Sequence, residues 1–120
     1  MKKVLIADDL SKVVELVRVA LEDEDYKIID ASDGKQTLKK AREEKPDVIL
    51  LDIMMSKMDG FEVCRQLRKD PQTKKIPIIM LTAKGQEVDK KKGRRVGAND
   101  YITKPFSPSA LLSKIEEILT

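Results

Sequence analysis

The sequence predicts an α/β fold: a doubly wound, five-stranded parallel sheet with a helix following each strand, (βα)5. Three observations predict it. Residues 4–7, 48–51 and 78–81 are nearly continuous apolar runs, as parallel strands covered on both faces require. Between them lie segments whose apolar residues recur at helical spacing. Asp8, Asp9, Asp52 and Lys104 each fall at the C-terminal end of a predicted strand, and in open parallel sheets ligands bind at that rim.

Taken in order, Val4-Leu5-Ile6-Ala7 forms the first strand. Val13, Leu16, Val17, Ala20 and Leu21 then fall at i, i+3, i+4, i+7 and i+8, giving a one-faced helix. Residues 28–31 read as a weaker strand towards an edge. Leu38 and Ala41 mark the second helix, which ends before Pro46. Val48-Ile49-Leu50-Leu51 is a central strand. Phe61, Cys64, Leu67 and Arg68 mark the third helix, between Asp59-Gly60 and Asp70-Pro71. The run 78–81 is the fourth strand, and 101–103 a second edge strand. The last helix has Ser107 as N-cap and Pro108 in its first turn. Its apolar face is Leu111, Leu112, Ile115, Ile118 and Leu119.

The fourth helix, 86–96, is the weak one. Only Val88 and Val96 are apolar, and Gly93 lies inside it, where glycine costs roughly 0.5–1 kcal/mol relative to alanine. Poor anchoring is expected there. Short connections and right-handed crossovers complete a single domain over residues 1–120.

Composition excludes several functions. With no histidine, the chain has no Ser-His-Asp or Cys-His machinery, no histidine-containing zinc site and no means of donating a phosphohistidine. A single cysteine, Cys64, allows no internal disulfide and suits a reducing compartment; it reads as a small core residue. Met54, Met55 and Met58 read as loop and core packing. No apolar run approaches membrane-span length, so a cytoplasmic, membrane-free protein is expected. The net charge of +3 is uneven, because residues 84–104 carry seven basic and three acidic side chains. That leaves a basic excess on the fourth helix and the strand after it.

Three carboxylates at one rim repel. At an assumed ~5 Å and an effective dielectric of ~20, each pair costs ~3 kcal/mol. Either a cation sits among them, or Lys104 offsets part of the charge, or one pKa is raised. All-oxygen ligation with little protein cage is the Mg²⁺ pattern. The first βα loop is acidic and not glycine-rich, so bare phosphate or a flavin phosphate is repelled. With Mg²⁺ present the same acids become a phosphoryl site. Asp52 can then act as a nucleophile forming an aspartyl phosphate, with Thr82 offering a hydroxyl and Lys104 a cation.

The pair Asp8-Asp9, the run Asp52-Ile-Met-Met-x-x-Met-Asp-Gly60, Leu81-Thr82-Ala83 and Tyr101-Ile-Thr-Lys104-Pro-Phe together resemble the receiver domain of two-component response regulators. In architecture the chain is most similar to the single-domain regulators of chemotaxis and the sporulation phosphorelay. The resemblance covers essentially the whole chain. It implies a flavodoxin-like receiver fold with strand order 2-1-3-4-5 and gives each matched residue a role. Asp52 would be the phosphoacceptor. Asp9 and Asp52 would bind Mg²⁺ directly with the Met54 backbone carbonyl, and Asp8 mostly through water. Lys104 would contact the phosphoryl group, and the amides of Met54 and Ala83 would hold its oxygens. Thr82 and Tyr101 would be the switch pair, and the Lys104-Pro105 bond would be cis. Ser56 departs from the proline common there.

The implied function is a phosphorylation-activated signalling switch. A histidine kinase or histidine phosphotransfer protein, or a small phosphodonor, would supply the phosphoryl group. Partner binding would change through the face formed by the fourth helix, fifth strand and fifth helix, towards a downstream effector protein. Such a chain is no enzyme beyond its own phosphotransfer and autodephosphorylation. Monomeric state and no direct nucleic-acid binding are expected. Alternatives are the receiver part of a DNA-binding transcription factor, an aspartate-based phosphohydrolase and a flavin carrier. The phosphohydrolase needs an acid where Met54 stands. Receivers joined to winged-helix domains usually carry Glu at 110 and Arg at 114. Ala110 and Lys114 stand there instead, which favours a stand-alone regulator.

Overall fold

A computed structural model of the chain describes residues 1–55, 58–83 and 87–120, without the side chains of residues 83 and 87–89. Of the residues and ranges read above, Ser56, residues 84–86 and the side chain of Val88 lie outside the described residues. The elements alternate strictly: β1 (Lys2–Ala7), α1 (Ser11–Leu21), β2 (Tyr26–Ala31), α2 (Gly34–Glu44), β3 (Val48–Asp52), α3 (Gly60–Lys69), β4 (Ile78–Ala83), α4 (Glu87–Val96), β5 (Asp100–Lys104) and α5 (Pro108–Leu119). The sheet is wholly parallel, in the order β2-β1-β3-β4-β5. The two strands expected at the edges are the edges.

Strand alternation sorts the core into two layers. Leu5, Ala7, Ile49, Leu51, Ile78 and Met80 face one way, onto Ala41 of α2 and Phe61, Val63, Cys64 and Leu67 of α3. Val4, Ile6, Val48, Leu50, Ile79, Leu81 and Ile102 face the other way, onto Val17 and Leu21 of α1 and Leu111 and Ile115 of α5. All of the central-strand residues named are buried, which is why their runs carry almost no polar residue.

The caps fall where the sequence supplies them. Asp33, Asp59 and Ser107 accept from the amides of Gln36, Glu62 and Ala110 at 2.8, 2.9 and 3.1 Å, which satisfies donors that open a helix. Helix α1 starts from Leu10 with no side-chain cap. Instead, Asp8 Oδ1 accepts from the Leu10 amide at 2.9 Å, fixing the turn between β1 and α1. Cys64 is a core residue, its Sγ 3.5 Å from the Val96 carbonyl, and burial pushes its thiol up to about 11.

Gly93 is used differently from the expectation. A Cβ there would come within 2.8 Å of the Tyr101 ring. The glycine gives that ring its seat on α4, so its cost in helix propensity accompanies a packing contact.

Candidate functional site

The alternation that sorts the core also builds the site. Asp52 and Lys104 continue the rows Val48-Leu50 and Ile102, and Asp8 continues Val4-Ile6. Where these apolar rows reach the C-terminal rim they end in charge. Thr82 continues the opposite row, Ile78-Met80, and so lies on the α3–α4 side.

Asp8, Asp9 and Asp52 each place a carboxylate oxygen within 4.8 Å of the others'. Asp8 and Asp52 are buried and Asp9 is exposed. Lys104 Nζ donates to Asp8 Oδ2 at 3.0 Å and to Asp52 Oδ1 at 3.1 Å. The Met54 amide donates to Asp52 Oδ1 at 3.2 Å. Both of these bonds to Asp52 fall on one oxygen.

Two of the three remedies for crowded acids are visible. Lys104 spans two of the carboxylates. The Asp8 carboxyl is raised above the usual carboxylate range, chiefly by burial and further by Asp52, against the lowering effect of the Leu10 amide and Lys104. For Lys104 itself burial pulls downward, but bonding to Asp8 and Asp52 holds its ammonium above the usual lysine value. The acids and the lysine depend on one another: neither charge would be buried so readily alone.

The site also meets the requirements of a small divalent cation. Such an ion wants oxygen ligands at about 2.0–2.1 Å in octahedral array. Three carboxylate oxygens lying within 4.8 Å of one another at an open rim can close to that spacing, leaving other positions to backbone and water. The donor set is entirely oxygen.

Around this cluster the backbone is tightly fixed. The Gly60 amide bonds to the Ile53 carbonyl at 2.9 Å. A Cβ on Gly60 would sit 2.4 Å from the Asp52 carbonyl oxygen and 2.8 Å from Ile53 Cα. Only glycine lets α3 start that close to the end of β3. Reading the Asp-Gly pair as a helix start was correct but missed this second role. Met54 projects outward, its side chain 77% exposed. The Lys104-Pro105 peptide is cis.

Thr82 and Tyr101 belong to the opposite row, on the α4 side of the sheet. Thr82 is buried, and its Oγ1 has no hydrogen-bond partner among the described residues. An orphaned hydroxyl at a strand end is rare and costly. Tyr101 is half-buried against α4 and donates its hydroxyl to the Lys90 carbonyl. Ala83 closes β4 in register with Lys104.

The rim of this sheet thus gathers a buried carboxylate bonded by a lysine, two further acids beside it, and a buried threonine hydroxyl with no partner among the described residues. Residues 4–116 match the response regulator receiver domain family, and the chain belongs to that family. It is 51% identical over 98% of its length to the alkaline phosphatase synthesis transcriptional regulatory protein PhoP of Bacillus subtilis. It is 46% identical over 98% of its length to the phosphate regulon transcriptional regulatory protein PhoB of Pseudomonas aeruginosa. The chain spans 48% and 52% of these two relatives, about half of each. Among solved structures it resembles a chemotaxis response regulator of Vibrio cholerae, with TM-score 0.93, 38% identity and 99% of both chains covered. It also resembles the receiver domain of a Pseudomonas aeruginosa sensor histidine kinase, described with a magnesium ion coordinated in its active-site cleft. There the TM-score is 0.90 and the identity 26%, over 98% of this chain and 97% of that one.

Proposed function

We propose that residues 1–120 act as one receiver unit that takes a phosphoryl group onto Asp52. The observation that carries this reading is the state of Asp52: it is 3% exposed, and a lysine and a backbone amide both bond to the same oxygen, Oδ1. Oδ2 is then the attacking atom. In the step, Oδ2 forms a bond to phosphorus while the P–N bond to the donor's imidazole breaks. The imidazole nitrogen leaves with the bonding pair and takes up a proton. Residues 1–120 hold no histidine, so a donor phosphohistidine lies outside them, in a histidine kinase or histidine phosphotransfer protein; a small phosphodonor is the other source.

Asp8, Asp9, Asp52 and the Met54 carbonyl would hold Mg²⁺. When bound, the ion supplies positive charge against the phosphoryl oxygens. Lys104 orients those oxygens from the other side, and the amides of Met54 and Ala83 provide donors. Thr82 supplies the hydroxyl that answers the new charge, with Tyr101 as its partner in the switch. The unit catalyses its own phosphotransfer and hydrolysis and turns over no other substrate.

The output is a change in protein binding. Lys91, Lys92, Arg94 and Arg95 are exposed along α4 and offer a basic surface to an acidic downstream partner, with association weakened by salt. The relatives named above are transcriptional regulators, which supports use within a DNA-binding protein. Ala110 and Lys114 support a stand-alone regulator. Lys114 here pairs with Asp100 at 3.2 Å. Phosphotransfer is the same in both. We place the protein in the cytoplasm; no helix among the described residues is long and apolar enough to cross a membrane.

The test is a mass measurement. Acetyl phosphate with Mg²⁺ adds one phosphoryl mass to the wild type and none to Asp52→Asn. An equal gain in the variant would overturn the assignment.

A further inference from the structure

Helix α4 was expected to be loosely held, yet its C-terminal end is not. Gly97 follows it with φ 105°. The Gly97 amide bonds to the Arg94 carbonyl at 3.1 Å and the Ala98 amide to the Gly93 carbonyl at 2.8 Å, a closing motif that uses the left-handed conformation glycine adopts freely. Val96 and Ala98 pack on the core layer that contains Cys64.

Arg68 of α3 reaches the same place. Its Nε donates to the Gly97 carbonyl at 2.9 Å and its Nη2 to Asn99 Oδ1 at 2.7 Å. Its Nη1 donates to the carbonyls of Lys74 and Ile76 at 3.0 and 2.7 Å. Asn99 Oδ1 also accepts from the Ile78 amide at 2.8 Å. One planar fork therefore ties α3, the segment before β4 and the segment after α4 into a single piece. A Cβ on Gly97 would strike the Arg68 stem at 2.8 Å, so arginine and glycine fit each other closely. At the other end of the helix lie Thr82 and the acids, and midway the Tyr101 hydroxyl meets the Lys90 carbonyl. That contact can be given up by rotating one side chain, whereas the Arg68 fork cannot release one loop without the other.

We infer that Arg68 pins the C-terminal end of α4, so that movement of this helix is a swing of its N-terminal part about a fixed point at residues 97–99. The pin stands on the geometry alone; that the swing is driven from Asp52 rests on the function proposed above. Cys64 is the built-in reporter, because its thiol lies against the Val96 carbonyl and lifting this end of the helix would uncover it.

The experiment measures the rate at which Cys64 of the full chain reacts with an aromatic disulfide near pH 8. Wild type should react slowly, and at the same slow rate after addition of Mg²⁺ and beryllofluoride. Arg68→Met keeps the apolar stem and loses the fork; its labelling should rise by about tenfold or more, with Arg68→Lys intermediate. Circular dichroism confirms that the variants are folded. Asn99→Ala removes one arm of the fork and gives a smaller rise, which serves if Arg68→Met does not fold. An unchanged rate in every variant would show that core packing alone holds the helix. A rise in wild type on beryllofluoride would show that this end moves with the rest. Either result overturns the pin. Failure of wild type to gain a phosphoryl mass would overturn the proposed function instead, with the variant rates still deciding the pin.

Discussion

Met54 lies two residues after Asp52 with its side chain 77% exposed. A thioether neither orients an attacking water nor takes its proton. The aspartyl phosphate should therefore hydrolyse slowly. Met54→Asn, which places an amide there, should shorten the phosphoryl lifetime by roughly an order of magnitude; decay followed by intact mass after removal of the donor checks this, and an unchanged rate would refute it. Cys64 gives a second residue-scale prediction. Its thiol is fully buried and raised from 9.0 to about 11. The folded state thus keeps a proton that the unfolded state gives up, so this contribution is whole below pH 9 and fades as pH rises towards 11. Each unit of such a shift corresponds to about 1.4 kcal/mol. Denaturant melts across that window should fall less steeply for Cys64→Ala than for wild type. Identical slopes would show that the thiol titrates alike in the folded and unfolded states.

Helix α4 is where sequence and structure diverge most. Its sparse apolar residues and Gly93 read as weakness, because composition reports propensity and not neighbours. The neighbours decide: the Tyr101 ring occupies the space at Gly93, and Arg68 donates to carbonyls, which carry no sequence signal. The charged cluster was legible for the opposite reason. Strand periodicity fixes which residues reach the rim, so Asp8, Asp52 and Lys104 could be placed together before any distance was known. Motion in α4 is the element-scale prediction. Adding beryllofluoride with Mg²⁺ should change hydrogen exchange most in residues 87–92 and around Tyr101, with 97–99 unaltered. Among the described residues Thr82 Oγ1 lacks a partner and gains one from a phosphoryl oxygen, so Thr82→Ala should blunt the response. A dominant change in α1 would place the output elsewhere.

At the scale of the whole molecule, the acidic rim bears on stability. A ligand that binds only the native state stabilises it by mass action, about 2.7 kcal/mol at a hundredfold excess over Kd. For a domain of this size that amounts to a rise in Tm of about 10 °C. Mg²⁺ should raise the wild-type Tm by about that much. Asp9→Ala should melt a few degrees higher than wild type without metal, since one repelling carboxylate is gone, and should lose most of the metal response. A wild type indifferent to Mg²⁺ would remove the case for a cation site. The two-layer architecture was readable at this scale because both sheet faces are covered. The three central strands therefore carry unbroken apolar runs, whereas the edge strands β2 and β5 carry weaker ones.

Gly60 shows how a residue without chemistry can be as constrained as Asp52. The gap between its Cα and the Asp52 carbonyl admits hydrogen and nothing larger. Any other amino acid must push α3 away from the end of β3 and drag Asp52 from beneath Lys104. In a library of all single substitutions selected for signalling, position 60 should be nearly as empty of survivors as position 52. Arg65, exposed on α3 five residues further on, should accept far more replacements. Tolerance to change would then map backbone proximity as clearly as it maps catalysis.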